Sequence, residues 1–371
     1  MNTIAFAGGG TGGHIFPGLA VIDELRQRRD CSLFWIGSSR GVDRSLVESA
    51  GIEFIGIPSG KLRRYFSLQN AVDFFRIVGG FFVSLAILAR RRPALLFSKG
   101  GFVSVPPCVA ARLLGIPVMT HECDFSPGLA TRINSLFADD ILVSYEETGE
   151  RIPARLRSKV TVTGNPVRGS FLAASASRGR AFLGFPEDGR PVLFAQGGSL
   201  GAKQVNDLVS GVLDELLPSF RVVHQTGLSQ EAMPPSVGMR DGYRAFPFIR
   251  SEMPDVLACA DLVVSRAGAN SVWECATAGK PMVLVPLEKG ASRGDQVENA
   301  GYFESRGAAI VLTGERATGA NLLETVRRVF SEPGLLKRMS ESSAHLGSVR
   351  AAAAIAELIL SRLDSLQRRD A

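Results

Sequence analysis

The stretch TIAFAGGGTGGHIFPGLA, residues 3–20, decides how the chain is read. Thr3–Ala7 is a short apolar run, glycines follow it, and a helical pattern follows the glycines. A strand that empties into a glycine loop and then a helix is the opening unit of a parallel α/β sheet. Gly8, Gly10 and Gly13 satisfy G-x-G-x-x-G, and Pro17 suits a first helical turn, so a helix is predicted over Pro17–Arg28. Missing side chains let the backbone approach a diphosphate, and the helix N-terminus adds N–H groups and a favourable dipole. His14 stands in this turn, within reach of whatever the loop binds.

Working outward, the same unit recurs. Strands are predicted at Leu33–Ile36, Glu53–Ile57, Ala94–Phe97, Val118–Thr120, Asp140–Val143 and Val160–Thr163, with helical stretches such as Val105–Leu114 between them. The pattern restarts with Val192–Ala195, Arg221–Gln225, Leu262–Val264, Met282–Val285 and Ala308–Leu312. The Pro- and Gly-rich segment Asn165–Arg190 separates the two series. The expected organisation is a domain over 1–165, a second over 166–344, and a helical end over 345–371 that could return toward the first domain. The fold class is α/β: two Rossmann-like doubly wound domains whose strand-end loops face a shared cleft.

Two further glycine loops follow strands, SKGGFVSVP at 98–106 and GGSLGA at 197–202. Any one could be a tight turn; three at strand ends point to phosphorylated ligands. A nicotinamide or flavin dinucleotide site competes with this reading. It expects an acidic residue at the end of the second strand, where the sequence has Gly37-Ser38-Ser39-Arg40. Arg40 would suit a 2′-phosphate, so the option is weakened and not removed.

Other polar clusters close predicted strands. His121-Glu122 and Asp124 follow the fifth; Arg168 follows the seventh, placed where a guanidinium could meet a leaving diphosphate. In RAGANSVWE, 266–274, Ser271 and Glu274 share a helix face, where a carboxylate could take both hydroxyls of a ribose. The same S-x-x-E spacing is also a capping box. Histidines such as His121 and His224 are more often structural than catalytic.

Bulk properties bound the remaining classes. The net charge is +6, with 42 Lys/Arg against 36 Asp/Glu. Residues 1–165 hold 19 Lys/Arg and 14 Asp/Glu, so most of the excess is N-terminal and favours an anionic partner there. The five cysteines show no CxxC spacing and read as reduced thiols. No signal peptide is expected from the N-terminal residues, and the longest nearly apolar run, Ile77–Ala89, is too short to cross a bilayer. No basic stripe with interleaved aromatics suggests nucleic acid outside residues 61–92.

That segment has its own reading. Arg63 and Arg64 precede a long helical stretch, Leu68–Ala89, that carries Phe74, Phe75, Val78, Phe81 and Phe82, and Arg90-Arg91-Arg92 closes it. An amphipathic helix with basic flanks suits an anionic membrane surface. The competing reading is a crossover helix packed on the sheet with a basic rim.

Taken in order, GGGTGGHIFPGLA, SKGGFVSVP, HECD, TGNPVR, GGSLGA, RAGANSVWE and Asp295-Gln296…Asn299-Ala300 resemble the MurG family of N-acetylglucosaminyltransferases, over Gly8 to about Ala300. The resemblance implies a GT-B fold and inverting transfer from UDP-N-acetylglucosamine, without metal or other cofactor. The implied acceptor is undecaprenyl-diphosphate-linked N-acetylmuramyl-pentapeptide, attacked through its 4-hydroxyl at the cytoplasmic face of a bacterial inner membrane. It implies donor contacts from Phe248 and Ile249 to the uracil, Arg168 and Ser199 to the diphosphate, Asn270 and Ser271 along the phosphate-facing turn, Glu274 to the ribose, and Asp295 and Gln296 to the sugar. The acceptor would lie on Gly10, Thr11, Gly12 and Gly13 and on Gly100, Gly101 and Phe102. His14 ranks first as general base on its reference pKa, with Glu122 and Asp124 open. Phe102, Asp124 and Asp295 depart from the family pattern, which expects Tyr, Asn and Gln there. A dinucleotide oxidoreductase and a non-catalytic membrane scaffold are the competing classes; UDP binding without NAD(P) binding disposes of the first, and turnover of a lipid-linked acceptor disposes of the second.

Overall fold

A computed structural model describes residues 2–10, 12–41, 43–60, 68–229, 240–288 and 294–370, with backbone alone for 68–72, 369 and 370. Of the residues singled out above, Thr11, Arg63 and Arg64 lie outside the described set. The chain divides into two compact units: residues 1–168 with 350–371, and residues 169–349.

The strands of the first unit are β1 (Thr3–Ala7), β2 (Ser32–Ser38), β3 (Glu53–Ile57), β4 (Leu95–Ser98), β5 (Val118–Glu122), β6 (Asp140–Val143) and β7 (Val160–Val162). They form one parallel sheet in the order β3-β2-β1-β4-β5-β6-β7. Its helices are α1 (Gly12–Arg28), α2 (Asp43–Ser49), α3 (Leu68–Arg91), α4 (Val105–Leu113), α5 (Leu129–Phe137) and α6 (Glu146–Glu150). Both sheet faces are covered, and the strands show it in a period of two. Ile4, Phe6, Trp35, Leu95, Phe97, Met119 and Leu142 enter one core, while Ala5, Ala7, Phe34, Ile36, Leu96, Val118, Ile141 and Val143 enter the other. Alternation of two apolar sets is what a parallel sheet buried on both sides requires.

The second unit repeats the plan with β8 (Val192–Gln196), β9 (Arg221–Gln225), β10 (Tyr243–Phe246), β11 (Leu262–Ser265), β12 (Met282–Leu284) and β13 (Ala309–Val311), in the order β10-β9-β8-β11-β12-β13. Its helices are α7 (Ala176–Leu183), α8 (Lys203–Gly211), α9 (Leu213–Leu216), α10 (Met253–Cys259), α11 (Ala269–Thr277), α12 (Asp295–Ser305), α13 (Gly319–Ser331) and α14 (Leu335–Gly347). The strand β10 was not anticipated. It is the edge strand, its residues after Tyr243 are only half-buried, and so it carries no continuous apolar signal.

The last helix, α15 (Ala351–Asp370), belongs to the first unit. Ile355, Ala356, Ile359 and Leu363 lie in the core beneath α1, and Arg29 pairs with Asp364 at 2.7 Å. Each fully buried aliphatic side chain stabilises by about 1.5–3 kcal/mol, so this packing is a substantial part of the first unit's stability.

One element begins earlier than its sequence suggested. The first helix starts at Gly12, and Pro17 lies inside it instead of opening it. Proline has no N–H for the carbonyl four residues back, Gly13, so the first turn lacks that helical bond. Glycines have no side chain to offset this, and the second glycine loop, described next, lies against His14 in this turn.

Candidate active site

In a doubly wound sheet, ligands bind where the strand order reverses. The reversal in the first unit falls between β1 and β4. The glycine loops after these two strands therefore leave the sheet side by side. They are in direct contact: a Cβ at Gly101 would lie 2.7 Å from Gly9 O and 2.9 Å from the His14 ring. His14, in the first turn of α1, thus stands against the second loop. Phe102 closes over the first loop, where a Cβ on Gly10 would meet its ring at 2.6 Å.

Both loops are fixed by buried polar groups. The Trp35 indole donates to Gly8 O at 2.9 Å, and Gly18 leaves room for that ring against α1. Asp43, which the sequence reading passed over, accepts from the Gly10 amide at 2.9 and 3.1 Å and from the Ser38 amide at 3.1 Å. Burial pushes the Asp43 carboxyl up, against the pull of those two amides. The Gly10 N–H that a dinucleotide phosphate would use is therefore already taken by a carboxylate. The end of β2 offers no acidic residue for a ribose, and Asp43, the next one along the chain, is spent on the loop. In the second loop, Asn134 donates to both Ser98 Oγ and Ser104 Oγ, and Ser104 Oγ donates to Gly101 O at 2.8 Å.

The HECD segment closes β5. His121 is fully buried; its Nε2–H donates to Gly164 O, and its Nδ1 accepts from Lys99 Nζ, both at 3.0 Å. Burial, helped by the adjacent Lys99 charge, holds this imidazole well below the usual histidine range. It is a neutral strut. Glu122 accepts from the Asp124 amide at 3.0 Å and the Gly128 amide at 2.9 Å, and Gly128 is the N-cap of α5. That carboxylate is occupied in shaping the loop. Asp124 is half-buried beside it. Glu122, Cys123 and Asp124 present possible ligand atoms within 4.8 Å of one another. Burial pushes the Cys123 thiol up to about 12. Arg168, where the chain first leaves the first unit, lies with its guanidinium over the Phe16 ring of α1, 5.0 Å from the centroid.

The second unit reverses its order between β8 and β11. These strands run parallel in register, Gln196 beside Ser265, so GGSLGA and the RAGAN turn emerge together. Gly198 and Gly201 adopt φ of +86° and +85°, which glycine alone accommodates readily, and the loop is stitched to its neighbour by Leu228 N–H to Ser199 O and Ser229 N–H to Leu200 O, both 3.1 Å. Neither α8 nor α11 has a side-chain cap: their N-caps are Ala202 and Gly268. Two uncapped helix N-termini at one switch point are suited to an anion. Arg266, another residue the sequence reading passed over, ties them together through Gln204 Oε1 at 2.8 Å and Val285 O at 2.9 Å.

With Gly268 as N-cap, Ser271 lies inside α11, so Ser271 and Glu274 do not form a capping box. Asn270, Ser271 and Glu274 are half-buried on the first turns of this helix. Ile249 is buried and its amide donates to Gln225 Oε1 at 2.8 Å; Phe248 beside it is half-buried. The Ile249 amide is thereby committed to Gln225. Asp295 and Gln296 open α12, with Gln296 Oε1 accepting from the Leu287 amide at 2.9 Å, while buried Asn299 donates to Ala267 O at 3.1 Å and so shapes the RAGAN turn.

The face of α3 divides. Phe74, Phe75, Val78 and Phe82 are exposed, Phe75 at 73% and Phe82 at 61%. Phe81, grouped with them in the sequence reading, instead packs against the sheet core with Leu85 and Ile87. Gly80 lets the helix approach the Pro58 carbonyl, where a Cβ would lie only 2.3 Å away. Among the described residues no helix is long and apolar enough to cross a membrane.

Comparison with known proteins agrees with this geometry. The glycosyltransferase family 28 N-terminal domain matches residues 4–143 and its C-terminal domain matches residues 192–358. A UDP-N-acetylglucosamine–N-acetylmuramyl-(pentapeptide) pyrophosphoryl-undecaprenol N-acetylglucosamine transferase of Treponema denticola is 52% identical, over 97% of this chain and 98% of its own. The like-named protein of Treponema pallidum is 50% identical over 95% of this chain and 94% of its own. The crystal structure of Acinetobacter baumannii MurG superposes with a TM-score of 0.73 at 27% identity, covering 97% of this chain and 100% of that one. With both domains matched and relatives this similar along nearly its whole length, the chain belongs to glycosyltransferase family 28, among the MurG-type N-acetylglucosaminyltransferases.

Proposed function

We propose that this enzyme transfers N-acetylglucosamine from UDP-N-acetylglucosamine to the 4-hydroxyl of undecaprenyl-diphosphate-linked N-acetylmuramyl-pentapeptide, with inversion at the anomeric carbon. The observation that carries the donor side is the pair of uncapped helix N-termini, α8 and α11, at the β8–β11 reversal. Their amides and dipoles, with Ser199, Asn270 and Ser271, supply the charge stabilisation a departing UDP diphosphate needs. Glu274 takes the ribose hydroxyls, Phe248 and Ile249 take the uracil, and Asp295 and Gln296 face the sugar. Arg168 is the guanidinium assigned to the leaving diphosphate by the family resemblance.

On the acceptor side the paired loops at Gly10, Gly12 and Gly13 and at Gly100, Gly101 and Phe102 seat the muramyl diphosphate. His14 is the general base that removes the proton from the attacking hydroxyl. It is supported by position, since its ring lies against the second loop, and by the other uses found for Glu122 and His121. Glu122 and Asp124 of that segment are the alternatives. One in-line displacement needs no covalent intermediate, and helix termini can stabilise the leaving diphosphate without a metal. The exposed aromatic face of α3, with Arg90, Arg91 and Arg92 at its end, rests on an anionic membrane surface and makes the enzyme peripheral to the inner face of the membrane.

The test is transfer to a short-chain lipid acceptor from UDP-N-acetylglucosamine and from UDP-N-acetylgalactosamine, with the product anomer assigned by NMR and EDTA present throughout. A β-linked product from the gluco donor alone supports the reading. An α-linked product, equal use of both donors, or loss of activity that Mg²⁺ or Mn²⁺ restores would each overturn the corresponding part.

A further inference from the structure

Lys99 sits where an ammonium is costly. It is the residue just before Gly100-Gly101, it is 1% exposed, and a Cβ on Gly8 would meet its Cβ at 3.3 Å. Its stem therefore lies directly against the junction of the two loops. Its hydrogen-bond partner is His121 Nδ1, a neutral ring whose other nitrogen is committed to Gly164 O. Among the described residues no carboxylate pairs with it. Asp43, the acidic group at the start of α2 that holds the first loop, is engaged by the Gly10 and Ser38 amides. The carboxylate of Glu122 is likewise engaged by backbone amides.

A buried charge without a counter-charge is destabilising unless something else in the working protein neutralises it. We propose that Lys99 is an electrostatic positioning residue: its ammonium, braced by His121 behind the two glycine loops, favours a doubly charged anionic group on those loops. The anion is the acceptor's diphosphate, so the inference rests on the reading of these loops as the acceptor seat. The glycines make this geometry workable. Gly100 and Gly101 add no side chains of their own between the charge and the ligand, and at an effective dielectric of about 20 its field still reaches the loop surface. His121 then has a definite task that is neither acid nor base. It accepts from the ammonium, stays neutral, and does not compete for the anion.

The experiment compares KM for two water-soluble acceptors, one carrying the diphosphate and one the monophosphate. Lys99→Gln removes the charge but keeps a donor for His121, whereas Lys99→Met removes both and could fail to fold. Wild type should favour the diphosphate acceptor. In Lys99→Gln that preference should shrink roughly tenfold, the size expected for unit charges about 10 Å apart at an effective dielectric of about 20. The KM for donor should be unchanged, and Lys99→Arg should restore much of the preference. A purely structural role would raise both acceptor KM values together and leave their ratio intact, and that result would overturn the assignment of Lys99. If wild type itself shows no preference for the diphosphate, the acceptor-seat reading fails and this inference falls with it.

Discussion

Asp43 holds the Gly10 amide in a forked hydrogen bond of 2.9 and 3.1 Å, and so a carboxylate at the start of α2 closes the first glycine loop. Asp43→Asn keeps one acceptor oxygen and should fold with a modest loss. Asp43→Ala leaves the Gly10 and Ser38 amides without their partner, at about 1–3 kcal/mol for each buried group. Urea unfolding should show that order, and the acceptor KM should rise more in the alanine variant than the donor KM. An alanine variant as stable as wild type would mean the loop does not depend on this carboxylate.

His14→Ala should lower kcat about 10²–10⁴-fold if the imidazole takes the proton. A rise in acceptor KM at unchanged kcat would instead make His14 a binding group. The Asp124→Asn variant is then the next to measure, ahead of Glu122, whose oxygens accept from two backbone amides.

Glu274→Ala should weaken UDP binding about ten- to hundred-fold, since hydrogen bonds to a charged group are worth roughly 1.5–3 kcal/mol. Thermal stability should change little, because Gly268, not Ser271, caps this helix and no capping box is broken. Calorimetry with UDP decides it: unchanged affinity removes the ribose assignment.

The two faces of α3 predict opposite outcomes for neighbouring aromatics. Phe75→Ser with Phe82→Ser removes exposed rings and should weaken binding to anionic vesicles while leaving the unfolding midpoint nearly unchanged. Phe81→Ser enters the sheet core and should cost about 2–4 kcal/mol of stability. Flotation with vesicles of phosphatidylglycerol separates the two. If the double variant floats as well as wild type, the exposed stripe does not meet the membrane.

His224 is buried in the second unit, where its Nε2–H donates to Asn206 Oδ1 and its Nδ1 accepts from Tyr243, both at 2.9 Å. Burial lowers its pKa to about 4. The unfolded chain, with an ordinary histidine, binds that proton more readily than the folded one. Stability should therefore fall as pH drops through 6.5 toward 4, by on the order of 2 kcal/mol between pH 7 and 5. His121 titrates in the same sense in the first unit. His224→Gln should flatten part of the pH dependence of urea stability, whatever its own stability at pH 7. An unchanged slope would show that this histidine does not carry the effect.

What the sequence determined by itself is the repeated strand–loop–helix plan and the positions of most strands, because an apolar run in a sheet buried on both sides must be apolar wherever it pairs. Thr3–Ala7, Glu53–Ile57 and Asp140–Val143 begin and end where their residues say they should. It also marked the glycine loops, since few other residues tolerate a positive φ at a strand end or the close approach of a second loop. The tertiary structure decided everything that depends on a partner distant in sequence. It set the start of α1 at Gly12, where neighbouring loops outweigh the proline signal, and it drew α15 back onto α1 through Ile355, Ile359 and Leu363. It turned Phe81 inward while leaving Phe75 and Phe82 out, because Gly80 fixes which side of α3 meets Pro58. It gave Asp43, Lys99 and Arg266 their tasks as well, because a charged side chain shows its type in the sequence, while the backbone amide, imidazole or carbonyl that satisfies it is chosen only when the chain has folded.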